Sequence, residues 1–151
     1  MGMDVYGNNE EAYFRNNVWW WRPLADYCIL QAPVITSACA DWHTNSGFGL
    51  NEKECEELAR VLWEELLSGR TRAYAQIREA KLKALPLIAC NICEGTGKRA
   101  APPATGPGNK ECNGCLGQGR KASWETYYPF SEENVREWVG FLETCGGFRI
   151  C

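Results

Sequence analysis

Apolar positions recur along two stretches of the chain with the spacing of a buried helix face. Cys55, Leu58, Ala59, Leu62 and Leu66 follow i, i+3, i+4, i+7, i+11, which places all five on one side of a helix that begins near Asn51. Asn51 is a good N-cap, and Glu54 three positions later completes a capping-box signature. Acidic side chains crowd the first turn, where the helix dipole favours them, and Ser68-Gly69 marks the end. The second stripe is Val135, Trp138, Val139 and Leu142, capped by Ser131 and terminated by Gly146-Gly147.

Weaker patterns fill the remainder. Residues 71–85, with Tyr74, Ile77 and Leu85 apolar, predict a helix that Pro86 stops. Pro23 fits the first position of a helix running to Ala32; Pro33 breaks it, and a short helix to about Trp42 follows. Residues 148–151 are too short to predict more than a docked tail or an edge strand. The connection over 94–111, rich in Ala, Gly and Pro between 100 and 109, has neither periodicity nor apolar content and predicts a mobile loop. Together these elements predict a mainly α protein: a single helical domain with a small zinc-knuckle β-hairpin insertion. Residues 1–86 form the helical body, 87–123 the insertion, and 124–151 a C-terminal helix packing on the body.

Composition fits that picture. With 151 residues and 45% hydrophobic content the chain can bury a core of its own. No run of about 20 apolar residues is present, and the first residues lack the basic, apolar and small-residue regions of a signal peptide, so a cytoplasmic protein with no membrane partner is expected. Met1-Gly2 is not followed by Ser or Thr at position 6, where Tyr6 stands, which argues against myristoylation.

Charge changes the picture more. Residues 1–68 carry 4 basic and 11 acidic side chains, residues 69–124 carry 10 and 3, and residues 125–151 carry 2 and 5. The middle segment is the basic one, at +7 between flanks of −7 and −3. It also holds four of the nine cysteines, in two copies of one phrase: Cys90-Asn-Ile-Cys93-Glu-Gly95-Thr-Gly97 and Cys112-Asn-Gly-Cys115-Leu-Gly117-Gln-Gly119. Two thiolates on one metal need the tight knuckle that a Cys-x-x-Cys spacer makes, and glycines just after it let backbone amides approach the sulfurs. Two such pairs close a tetrahedral shell with no position left for substrate. They predict one structural Zn2+ held by Cys90, Cys93, Cys112 and Cys115. A redox Cys-x-x-Cys would not need a duplicate with matching glycines. The other five cysteines are an odd number in unrelated spacings; Cys28, Cys39 and Cys55 read as small buried apolar side chains.

The Cys-x-x-Cys-x-Gly-x-Gly phrase resembles the repeat of the cysteine-rich zinc domain of DnaJ-type co-chaperones. The resemblance covers residues 90–119 only. That family's domain carries four repeats and two zinc ions, so the two repeats here imply a single site. A J-domain His-Pro-Asp signature is absent, since the only histidine, His43, is followed by Thr44, and co-chaperone activity is not implied. In repeat number the phrase is similar to the anti-TRAP regulators, which work by binding another protein. The flanks, residues 13–24, 42–50 and 141–150, resemble uncharacterised bacterial and phage-borne proteins, which implies a link to a phage or mobile element and no particular activity.

Three further groups are candidates. Lys98, Arg99, Lys110, Arg120 and Lys121 flank the knuckles, so metal-driven folding is expected to gather them at the tip of the insertion as a partner-binding patch. The partner is either an acidic protein surface or nucleic-acid phosphates. Trp19, Trp20 and Trp21, with Arg15 and Arg22, offer a base-stacking platform, but three consecutive tryptophans must send at least one ring inward, and core packing plus a partner-facing residue is the expectation. Asp41, His43 and Asn45 near Cys39 are the only cluster that invites catalysis. They lack an identifiable nucleophile, so no catalytic residue is assigned and no enzyme is expected. The expected role is a non-enzymatic, zinc-bearing, protein-binding regulator or inhibitor, with a nucleic-acid-binding module as the alternative.

Overall fold

The computed structural model describes residues 2–99 and 110–151. Its elements in chain order are strands β1 (Gly2–Gly7) and β2 (Tyr13–Asn17), helices α1 (Val18–Gln31), α2 (Pro33–Thr36), α3 (Glu52–Leu67) and α4 (Arg70–Lys83), the short strands β3 (Ile88–Ala89) and β4 (Arg120–Lys121), a 3-10 turn (Trp124–Tyr127), helix α5 (Glu132–Leu142) and strand β5 (Phe148–Ile150). The chain divides into two compact units, one of residues 1–80 and 128–151 and one of residues 81–127.

In the first unit the two predicted helix stripes are the centre of the core. Cys55, Leu58, Ala59, Leu62 and Leu66 of α3 are all buried, as are Val135, Trp138, Val139 and Leu142 of α5. Both caps are in place. Asn51 Oδ1 accepts from the Glu54 amide at 2.9 Å while Glu54 Oε2 accepts from the Asn51 amide at 2.8 Å, and Ser131 Oγ accepts from the Asn134 amide at 3.1 Å. Trp138 is the hub of an aromatic cluster, with ring centres 4.9 Å from Phe14, 5.4 Å from Trp21, 5.2 Å from Phe141 and 5.3 Å from Phe148.

The body is helix-rich but not helical alone. β1 pairs antiparallel with β2 on one side and β5 on the other, giving the order β2-β1-β5. Met3 and Val5 alternate with Asp4 and Tyr6, so one face of β1 is buried. The backbone of residues 47–50 covers the outer edge of β5 through Phe148 N to Leu50 O at 2.9 Å, Ile150 N to Phe48 O at 2.8 Å and Gly47 N to Ile150 O at 2.8 Å. The tail expected as docked or edge strand is thus a strand with neighbours on both sides.

Helix α1 starts five residues before Pro23, because Asn17 Oδ1 accepts from the amides of both Trp19 and Trp20 at 3.1 Å and caps the helix there. Pro23 lies inside it. Trp21 is buried and donates from Nε1 to the Trp42 carbonyl at 2.6 Å; Trp20 is half-buried, and Trp19 is exposed with its ring 4.9 Å from Tyr128. The helix expected from 33 to about 42 is only the single turn α2. No described helix is long and apolar enough to cross a membrane.

The second unit is built on the paired strands β3 and β4, with Ile88 opposite Lys121 and Ala89 opposite Arg120. Most of the connection expected to be mobile, residues 100–109, lies outside the described residues.

Candidate metal centre

The two cysteine phrases fold into matching knuckles related by a pseudo-two-fold that maps each residue onto the one 22 positions later. Gly95 N donates to Cys90 O at 3.2 Å and Gly117 N to Cys112 O at 3.0 Å; Thr96 N donates to Cys93 O and Gln118 N to Cys115 O, both at 3.0 Å. Each phrase also closes on the other: Cys90 N donates to Gly119 O at 2.8 Å and Cys112 N to Gly97 O at 3.0 Å. Backbone pairing on either side of the centre follows the same symmetry, β3 with β4 and Lys98 with Glu111.

All four sulfurs lie within 4.8 Å of one another, and all four cysteines are buried. Cys90 Sγ and Cys112 Sγ are 3.9 Å apart, Cys93 Sγ and Cys115 Sγ 3.7 Å. Disulfide sulfurs stand only about 2.05 Å apart. In a tetrahedron with metal to sulfur bonds of about 2.3 Å the sulfurs are about 3.8 Å apart. The cluster therefore has the dimensions of a four-thiolate metal site.

Amides support the ligands. Gly97 N donates to Cys93 Sγ at 3.2 Å, and Gly119 N donates to Cys115 Sγ at 3.1 Å. Gly97 and Gly119 are the positions where no other residue fits: their φ angles are +74° and +73°. A Cβ on Gly97 would lie 2.2 Å from Gly117 O, and one on Gly119 would lie 2.3 Å from Gly95 O. Glu94 and Leu116, which the pseudo-two-fold relates, also take positive φ, at +51° and +50°.

Electrostatics point the same way. Burial opposes ionisation of Cys93, but the Gly97 amide and the neighbouring thiols outweigh it and bring its pKa down to about 6. Burial pushes its counterpart Cys115 up to about 11, against the pull of the Gly119 amide. A backbone hydrogen bond at Ile92 draws Cys90 below the ordinary thiol range as well, so the first knuckle ionises readily and any further thiolate must form beside it. Like charges at such separation resist joint ionisation, so a cation is what allows all four sulfurs to be thiolates at once.

The predicted basic residues fall into the same symmetry. Lys98-Arg99 and Arg120-Lys121 are equivalent dipeptides, each following its knuckle. The Arg99 guanidinium is hydrogen-bonded to Asn113 Oδ1, and Lys121 Nζ donates to Asn91 Oδ1 at 2.5 Å, so the asparagine of each knuckle holds the second basic residue after the other. Lys110 sits opposite Arg99, whose amide donates to its carbonyl at 2.7 Å. The sequence hint was the shared Asn in Cys-Asn-x-Cys.

The His43 cluster assembles differently from the sequence grouping. His43 Nε2 lies 3.0 Å from Asp26 Oδ1, and its backbone amide donates to Asp41 Oδ1 at 2.8 Å; Asn45 is exposed. Burial pushes the Cys39 thiol up to about 11 and the Cys28 thiol up to about 12, which keeps both protonated near neutral pH. Cys28, Cys39 and Cys55 are buried core residues as expected. A group not singled out from the sequence is the contact between the thiols of Cys55 and Cys145, residues 90 positions apart with no local motif linking them.

No protein-family model matches the chain, and neither a curated protein nor a solved structure matches it.

Proposed function

We propose that the protein is a non-enzymatic recognition protein organised by one structural Zn2+ at Cys90, Cys93, Cys112 and Cys115. The observation that carries the reading is the four-sulfur cluster with cross-knuckle separations of 3.7 and 3.9 Å, each knuckle adding an amide donor to a ligand sulfur. Zinc suits a closed, all-sulfur tetrahedron and brings no redox chemistry of its own. With four protein ligands the ion has no open position, so its role is to hold the knuckles and the side chains they carry. The resemblance of the phrase to the DnaJ-type zinc module supports the same assignment.

The side chains so displayed are Lys98, Arg99, Lys110, Arg120 and Lys121, which we assign to partner binding. Arg99 and Lys121 are held in place by asparagines before any partner arrives, which lowers the ordering cost of binding. The second unit carries 7 basic and 3 acidic side chains, net +4, and a tetrathiolate zinc centre contributes −2, leaving about +2. So modest a charge suits an acidic protein surface better than a polyelectrolyte, and a regulator or inhibitor that binds another protein is the preferred reading. The likeness of the flanking segments to phage-borne proteins supports a phage or mobile-element setting.

Elemental analysis of the purified protein is expected to give one zinc per chain; a metal-free, fully folded preparation refutes the assignment. Capture from a host lysate, with and without nuclease, tests the partner class. Retention of one protein partner after nuclease and moderate salt supports the reading. Binding that disappears on nuclease treatment identifies nucleic acid instead, and a steep loss with salt accompanies it because phosphate contacts release counterions.

A further inference from the structure

Helix α3 carries a second apolar stripe beside the one in the core. Ala59, Trp63 and Leu67 line an open groove of about 350 Å³ that also touches Glu56, Glu64 and Glu143. Trp63 is 36% and Leu67 78% exposed. The Arg136 guanidinium, paired with Glu132 at 2.9 Å, lies 5.7 Å from the centre of the Trp63 ring and holds it in place. Arg60 is paired with Glu64 at 3.5 Å, so among the described residues Glu56 and Glu143 are the groove carboxylates without an ion pair. Helix α4 has the opposite character. Of its 14 residues only Thr71 is buried, whereas α1, α3 and α5 bury five or six each. Its inner side is tied down by polar contacts, Arg70 to Glu65 at 2.7 Å, Arg72 to Glu132 at 3.0 Å and Arg78 to Tyr128 O at 2.6 Å. Such exposed pairs contribute little. The other side presents Ala73, Ile77 and Ala80, at i, i+4 and i+7, all exposed.

We propose that α4 of one copy of this chain docks in the α3 groove of a second copy, each copy offering both a helix and a groove. Charge selects this pairing. Helix α3 has 2 basic and 6 acidic side chains, net −4, and α4 has 5 and 1, net +4. Pairing α3 with α3, or α4 with α4, sets like charges together, which costs specificity and affinity; α4 against α3 sets opposite ones together. Size agrees. Trp63 and Leu67 are large where Ala73 and Ala80 are small, and Ile77 is large where Ala59 is small, so the two stripes can interdigitate as ridges into grooves. Length agrees too: the groove runs along α3 from Glu56 to Leu67, about 16 Å, and the α4 stripe covers about 10 Å. The docked contact gives α4 the apolar cover that its own chain does not supply. The inference is independent of the metal site and of the basic patch.

The test is sedimentation equilibrium of the full-length, zinc-loaded protein from about 1 µM to about 1 mM, the span of weak association. The mean mass is expected to rise above that of one chain, and to rise less in high salt, which screens exposed charges. Leu67→Lys sets a cation against the basic helix, and Ile77→Glu sets a carboxylate against the acidic groove. Each alone is expected to weaken self-association about 30-fold or more. An equimolar mixture of the two variants is expected to associate again, since the Leu67→Lys chain keeps its helix and the Ile77→Glu chain keeps its groove. A wild-type protein that stays monomeric throughout overturns the proposal and leaves the groove to a different partner. Association that survives either substitution, that tightens with salt, or that the mixture fails to recover also overturns it. Both substituted side chains are exposed, and the wild-type series stands even where a variant fails to fold.

Discussion

Gly49 and Phe148 lie backbone to backbone, so close that a Cβ on Gly49 would sit 1.7 Å from the Phe148 carbonyl oxygen. The contact seats β5 between β1 and residues 47–50, and through β5 it places the Phe148 ring against Trp138 and Trp42. Gly49→Ala cannot be absorbed by rotating a flexible side chain, since the obstructing atoms are backbone. It is expected to cost about 3 kcal/mol, the upper end of overpacking penalties, and to lower the melting temperature by about 6–12 °C. Thermal unfolding followed by circular dichroism measures this; an unchanged midpoint would show that the strand does not pack as described.

Gly97→Ala separates metal geometry from metal ligands. All four cysteines remain, but the new methyl group meets Gly117 O and displaces the amide that donates to Cys93 Sγ. Zinc affinity, measured by competition with a chromogenic chelator, is expected to fall about 10- to 100-fold, the range for losing a group that supports a ligand. Equal affinity in the variant would mean that the glycine is not part of the site.

Cys93→Ser removes a ligand outright. Structural zinc supplies about 10 kcal/mol of apparent binding energy in small modules. Hydrogen exchange over residues 81–127 is therefore expected to lose protection, with zinc content falling below one per chain. Persistence of both would sink the four-cysteine assignment.

Acid is expected to strip the metal. Cys93 has its pKa lowered to about 6 in the folded unit, so its thiolate contributes stability above the ordinary thiol range and that contribution is lost as pH falls through 6; a bound cation moves the transition lower still. Release should thus begin below pH 6 and be reversed on neutralisation. Zinc-responsive dye fluorescence against pH is the measurement, and retention of zinc at pH 3 would contradict it.

Asn51→Ala removes the side-chain half of the α3 capping box, the acceptor for the Glu54 amide, and leaves the residue-51 amide to Glu54 Oε2. A loss of about 1 kcal/mol is expected from urea unfolding, with the slope of the transition unchanged.

Legibility from sequence tracked how local the determining contacts are. Helices α3 and α5 were readable because their caps and apolar stripes lie within a dozen residues, and the four sulfurs because two short phrases repeat. β1 was not: Met3 and Val5 offer a single alternation between glycines, and its partners are settled by pairing with Phe14 and Ile150. The true start of α1 was hidden by Pro23, a good first-turn residue, when Asn17 does the capping. The basic residues were found individually, but their arrangement as two equivalent dipeptides held by Asn91 and Asn113 depends on the fold of both knuckles together. The Cys55–Cys145 contact has no local signature.

The central place of β1 also bears on how a new chain is completed during synthesis. Val5 and Ile150 are neighbours in the sheet, so the edge of β1 from Val5 to Gly7 stays without its β5 partner until β5 has left the ribosome. Pairing so distant in sequence is slow to form. The four knuckle cysteines are all translated before that point and lie near one another along the chain, so each nascent molecule can finish its metal centre while its first strand still lacks its last partner.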